Sequence, residues 1–313
     1  MIATHTVRGQ SIHLHLVNGS PTGLTVATMP NWSGSILVGR AGRLEELLGR
    51  NEAKRAGCYV LQGEELNHPM GVRAYIGRSD QLDDRVRQHV SRSWWNLAAL
   101  ISTSDSHFTS GHFMALESRM IQLTSEHRRA ALANAVIPSI GAGRLGEAGQ
   151  SDMENFLDKV QIILPTLGIN LLTPSPANRP REEVAPFDAK DVLEINHRSG
   201  VKARAVIRDD EFIVLQGSLA LLDSPYQHNA WAGLRQSLID EGVLIPDASG
   251  QFLVFTRNQA FSSASAAAGV VLNRQASGPK EWKFPSLSMS LGTWRETATK
   301  YDAGAGQNEE DDE

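Results

Sequence analysis

Six side chains between residues 57 and 140 have the chemistry to bind and attack a phosphate ester: Tyr59, Tyr75, Arg85, His89, Glu117 and Asn134. A guanidinium such as Arg85 clamps phosphate oxygens with paired hydrogen bonds and offsets the charge that builds during attack. A carboxylate such as Glu117 suits Mg²⁺ or Mn²⁺. Mg²⁺ is a hard cation usually held by one or two carboxylates plus substrate phosphate. The metal would polarise the phosphate and stabilise the leaving oxygen. A free phenol titrates near pH ~10, so a tyrosine acts as a base only where a cation favours its phenolate. Arg87 and Arg92 are further candidate phosphate contacts. Each group also has a bland reading. A strand tyrosine packs, an Arg–His pair decorates a solvated helix face, Glu117 sits on a helix surface and Asn134 closes a helix.

The elements that would position these groups follow from periodicity. Cys58–Gln62 and Val72–Gly77 read as two strands joined by polar turn residues, an antiparallel hairpin. Side chains alternate across a strand, so Tyr59 and Tyr75 can share one face of it. Ser79 or Asp80 would cap a helix with Leu82, Val86 and Val90 on its buried stripe. On such a helix Arg85 and His89, four apart, share a face. Trp95–Ser102 reads as a buried strand and His112–Glu126 as the helix that carries Glu117. His107 and His112 read as polar residues around the turn into that helix. The expectation is an α+β unit with a small antiparallel three-stranded sheet flanked by helices.

In order, the groups are Gly57-Cys58-Tyr59, Tyr75-Ile76-Gly77, Arg85 with His89 four residues on, Glu117 in the helix ALESRM, and Asn134. This pattern resembles the GIY-YIG nuclease family over about 80 residues, with Cys58 where the family prefers Ile. A free cysteine behaves as a small hydrophobe there. The resemblance implies a metal-dependent DNA endonuclease that hydrolyses phosphodiester bonds. Glu117 would be its metal ligand, and Tyr59 its base, helped by Tyr75 or His89. The alternative is a catalytically silent DNA-binding or assembly factor that keeps the nuclease fold.

The flanks divide by composition. Residues 1–56 hold β-rich runs at Ser11–Val17, Gly23–Met29 and 35–40, then a short helix around Leu44, Leu47 and Leu48. Residues 141–189 read as a linker, Gly-rich at first, helical over Met153–Leu167 and Pro-rich at the end. Residues 190–283 form a second small α+β domain that resembles a domain of unknown function. Its segments are GSLALL, LRQSLIDEGVL, FSSASAAAGVVLNRQASG and KEWK. Lys202, Arg204 and Arg208 on one strand, with Lys280, Trp282 and Lys283, would contact DNA backbone and bases. Residues 284–313 are expected to form an acidic disordered tail.

The net charge of −5 argues against a nucleic-acid partner only if it is spread evenly. It is not, because residues 302–313 contribute six acids and no base, while residues 57–140 hold eight of each. The tail would then compete with DNA as a mild brake. One cysteine rules out a disulfide framework. No signal peptide or membrane-length apolar run is visible, so a cytoplasmic protein is expected, with no membrane partner. Three weaker signals are set aside. Gly141-Ala142-Gly143-Arg144-Leu145-Gly146 matches a dinucleotide fingerprint, but Pro138 breaks the strand expected before it and no helix is expected to open on its third glycine. His13 and His15 share a strand face without a third ligand. Asn18-Gly19-Ser20 is a glycosylation sequon with no use in a cytosolic protein.

Overall fold

The computed structural model describes residues 9–135, 145–178, 188–223 and 229–297. Residues 141–144 of the glycine fingerprint, 179–187 of the Pro-rich stretch and 298–313 of the acidic tail lie outside the described residues, whereas residues 284–297, expected to be disordered, are ordered, with Leu291 fully buried. The chain divides into two compact units. The first is Met1–Glu64 with Val72–Thr173, and the second is Glu65–Gly71 with Pro174–Glu313.

In the first unit, strands β1 (His13–Leu16), β2 (Thr25–Thr28) and β3 (Gly34–Arg40) lead into helix α1 (Leu44–Leu48). Then come β4 (Gly57–Glu64), β5 (Val72–Ser79), α2 (Leu82–Arg87), β6 (Trp95–Thr103), α3 (Ser110–His127), β7 (Ala131–Leu132) and α4 (Glu147–Thr166). All the strands join one sheet in the order β1-β2-β3-β6-β4-β5-β7. The β6-β4-β5 core is the expected three-stranded antiparallel piece, but the sheet has seven strands. The β-rich N-terminal run is therefore not a separate extension. Its strand β3 pairs with β6 over seven residue pairs, from Gly34–Thr103 to Arg40–Leu97.

Alternation along β4 sorts the two cores. Cys58 and Val60 face a cluster with Ala74, Ile76, Phe113, Leu116 and Met120. Tyr59 and Leu61 face the other way, toward Leu47, Leu48, Leu82, Val86 and Leu100. Thus α1 and α2 cover one face of the sheet, while α3 and α4 cover the other. Helix α4 was expected inside a linker. Instead Met153, Phe156, Leu157, Val160, Ile163 and Leu164 bury its apolar stripe in the α3 core. A Gly-rich stretch before a helix marks a connection, but the amphipathic helix after it still needs a partner surface.

The second unit contains β8 (Leu193–Asn196), β9 (Lys202–Arg208), β10 (Glu211–Val214), β11 (Leu219–Leu221) and α5 (Ala232–Asp240). It continues with β12 (Leu244–Pro246), β13 (Phe252–Phe255), β14 (Gln259–Phe261), α6 (Ala264–Leu272), α7 (Gly278–Glu281), β15 (Lys283–Phe284) and β16 (Met289–Ser290). They form a sheet in the order β14-β10-β9-β8-β15-β16 and a small sheet β11-β13-β12. The Ala-rich α6 is buried on all sides, as small side chains allow. Arg235 is buried with it, donating to the carbonyls of Val270 and Leu221, so burial depresses its pKa to about 10. The class is α+β with mostly antiparallel sheets in both units.

Candidate active site

The register of β4 and β5 sets the centre of the site. Tyr59 lies opposite Gly77, and Leu61 opposite Tyr75. Opposite residues share a face, so the two tyrosines are diagonal neighbours with ring centroids 6.0 Å apart. Two glycines make this possible. A Cβ on Gly77 would stand 2.5 Å from both Cζ and Oη of Tyr59, and one on Gly57 would overlap the Ile101 carbonyl. Neither glycine has a positive φ. Both are required for space, so that the Tyr59 ring can lie flat on β5 and β4 can pack closely on β6.

His89 reaches the same place by a route the periodicity does not show. Helix α2 ends at Arg87, short of His89. Its N-cap is Gln81, and Ser79 Oγ accepts from the Gln81 amide at 3.1 Å without capping the helix. Beyond α2 the chain runs in three-residue turns: His89 N–H donates to Val86, Val90 to Arg87, and Arg92 to His89. At about three residues per turn, residue 89 stacks over residue 86. His89 therefore inherits the buried stripe, and Val90 is turned out to 52% exposure. The expected helix face shared by Arg85 and His89 is replaced by one exposed arginine and one buried histidine. The Trp95 indole N–H fixes the turn by donating to the His89 carbonyl at 3.1 Å.

The result is a cluster of three rings. His89 Nε2 is 2.8 Å from Tyr59 Oη, and its ring centroid is 4.8 Å from that of Tyr75. Arg85 faces both phenols, whose oxygens raise its pKa, and also bonds Gln88 at 2.8 Å. The guanidinium of Arg92 lies 5.4 Å over the Tyr75 ring. Burial pushes His89 down to about 4, with help from the Arg92 and Arg85 charges, so the imidazole is neutral at pH 7. The Tyr59 hydroxyl is pushed up by burial and by Tyr75, and Arg85 only partly opposes this. At Tyr59 desolvation and Tyr75 thus outweigh Arg85 and favour the protonated phenol.

Glu117 stands apart from this cluster. Arg78 follows Gly77, lies opposite Cys58 and faces the α3 side of the sheet, where its Nε is 3.2 Å from Glu117 Oε2. Burial raises the Glu117 pKa, against the pull of Arg78 and a through-space contribution from Arg85. Arg85 is the group whose charge is felt on both sides. Among the described residues no group of three or more His, Cys, Asp and Glu side chains could hold a metal ion. Glu117 is one carboxylate already engaged by a guanidinium. It fits Mg²⁺ only as an ion that arrives with substrate phosphate.

Asn134 turns out to be part of the sheet. Its Oδ1 accepts from the Ile76 amide at 3.1 Å and its Nδ2 donates to the Ile76 carbonyl at 2.7 Å. The side-chain amide thus extends the parallel β5–β7 pairing and holds the Tyr75–Gly77 backbone. Through these two bonds it holds the backbone that carries Tyr75. Arg87 pairs with Glu45 on the exposed surface, at 2.7 Å and 3.2 Å. Arg73, Arg78, Trp94 and Trp95 were missed by sequence reasoning. The available signal was position: Arg73 is two residues before Tyr75, so it shares that face.

In the second unit, Lys202 and Arg204 are exposed on β9, with Glu194 lying between Arg204 and Lys283 in the sheet. Lys280, Lys283, His197, Glu194 and Glu281 border a cleft of about 330 Å³. Trp282 is not available for stacking on bases. It is fully buried against Phe212, with its indole N–H donating to Ala264.

Residues 193–295 match a family model described as a domain of unknown function, DUF4357. That agrees with the expected C-terminal domain and carries its end past residue 283. No curated protein and no solved structure matches the chain. No helix among the described residues is long and apolar enough to cross a membrane.

Proposed function

We propose that the first unit cleaves phosphodiester bonds in DNA with the help of a divalent cation, Mg²⁺ or Mn²⁺. The observation that carries this reading is the packing of Tyr59, Tyr75 and His89 into one ring cluster beside the exposed guanidinium of Arg85. Arg85 would clamp the phosphate and offset charge in the transition state. Tyr75 would orient a water or a phosphate oxygen. Neutral His89 can accept a proton at Nε2 through Tyr59 Oη, which makes Tyr59 a relay and not an isolated base. Glu117 would hold the cation, which supplies Lewis-acid polarisation of the phosphate. Arg78 would have to release that carboxylate, and a phosphate is the natural competitor for Arg78.

One observation favours the second reading, a silent DNA-binding or assembly factor: the Glu117 carboxylate is already paired with Arg78. A nicking assay on supercoiled plasmid with Mg²⁺ or Mn²⁺ separates the two. Wild type should nick, and Arg85→Ala and Glu117→Ala should each lose at least about a hundredfold in rate, as removal of one charge-stabilising group does. DNA binding without metal-dependent nicking would establish the silent factor instead.

A further inference from the structure

We propose that the sheet face beside the ring cluster is a track for an unpaired DNA strand, laid over Tyr75 and Trp94 and flanked by Arg92 and Arg73. This rests on the nuclease reading for its place next to a scissile phosphate, but it is built from different residues. Gly77, Tyr75 and Arg73 project from the same face of β5 at two-residue intervals, so they span about 13 Å at strand rise. Trp94 packs against the same core cluster as Tyr75. Its carbonyl approaches Gly63, where any side chain would collide with it. The Arg73 guanidinium lies 4.9 Å over the Trp94 ring, as Arg92 lies over Tyr75. Two partly exposed rings, each with an arginine across it, thus line one strip.

Charge separates this strip from its surroundings. Arg43, Arg50, Arg78, Arg87 and Arg119 each have a carboxylate within 4.0 Å. Among the described residues of this unit Arg40, Arg55 and Arg128 also lack such a partner, as do Arg73, Arg85 and Arg92 beside the two rings. Those last three lie around the rings, so unpaired guanidiniums are gathered there although residues 57–140 are neutral overall. An unpaired strand matches both features, because it offers phosphates to the guanidiniums and open base faces to the rings and guanidinium planes. A duplex has its base faces stacked away and can use only the charges.

The test is binding by the full-length protein in EDTA, so that no cleavage intervenes, to a labelled dT20 strand and to a 20-base-pair duplex. Fluorescence anisotropy reads affinity, and thermal unfolding checks the fold. Wild type should bind dT20 more tightly than the duplex. Trp94→Ala and Arg73→Ala should each weaken dT20 binding by about 5- to 100-fold, the range of one base–aromatic contact, and change duplex binding far less. Trp94→Phe should retain most of the affinity. If Trp94→Ala unfolds the unit, Arg73→Ala decides. Unchanged dT20 binding in the folded variants, or preference for the duplex, overturns the track. Failure of the nuclease reading looks different: Trp94-dependent dT20 binding would persist while plasmid nicking was absent.

Discussion

Replacing Gly77 with alanine tests the central packing claim. The new Cβ would sit 2.5 Å from Tyr59 Cζ and Oη and 2.8 Å from Cε1. Tyr59 is fully buried, so its ring has no free volume into which to retreat. Forcing a methyl into such a core costs about 1–3 kcal/mol. The loss of backbone freedom in the unfolded chain works the other way, by about 0.4–1 kcal/mol, so a net loss is steric. At about 2–4 °C per kcal/mol for a unit of this size, the melting temperature should fall by about 1–10 °C. Moving the ring by about an ångström also breaks its 2.8 Å contact with His89, and such a shift can lower turnover about a hundredfold. The decisive assay is a double-mutant cycle by thermal unfolding. In a Tyr59→Leu background the atoms that collide are gone, so Gly77→Ala should cost less than about 1 kcal/mol. An equal cost in both backgrounds, or a Gly77→Ala protein as stable as wild type, would refute the reasoning.

Three further outcomes follow from the same geometry. Asn134→Ala leaves the Ile76 amide and carbonyl without their side-chain partner and should lower stability by about 1–3 kcal/mol, by denaturant unfolding; no loss would mean the amide is dispensable to the sheet. His89 has a folded pKa of about 4, below the ordinary 6.5, so its contribution to stability is complete above pH ~6.5 and is lost as pH falls toward ~4. His89→Phe should therefore flatten the pH dependence of unfolding between pH ~6.5 and ~4, and an unchanged slope would count against a buried neutral imidazole. Trp282→Ala should destabilise the second unit by about 3–5 kcal/mol, as emptying an aromatic core site does. A fully stable variant would place Trp282 outside the core.

The sequence by itself determined most of the local structure and the neighbourhood of the site. Period-two alternation located β4, β5 and β6, and the hairpin between Tyr59 and Tyr75 put both phenols on one face. What alternation lacks is pairing. That β3 joins β6 and turns a three-stranded piece into a seven-stranded sheet depends on long-range hydrogen bonds that leave no local trace. Helical periodicity also misplaced His89, because a change from 3.6 to about three residues per turn rotates everything beyond Arg87. Residue types suggested Glu117 as a metal ligand, Asn134 as a catalytic group and Trp282 as a stacking surface. Tertiary structure took Trp282 into the core, set Asn134 against the Ile76 backbone and tied Glu117 to Arg78. A side chain's chemistry is written in its type, but whether that chemistry is free to meet a substrate depends on burial and on which partner reaches it first. For the same reason the sequence could not tell Arg87, which pairs with Glu45, from Arg85, which faces the tyrosines.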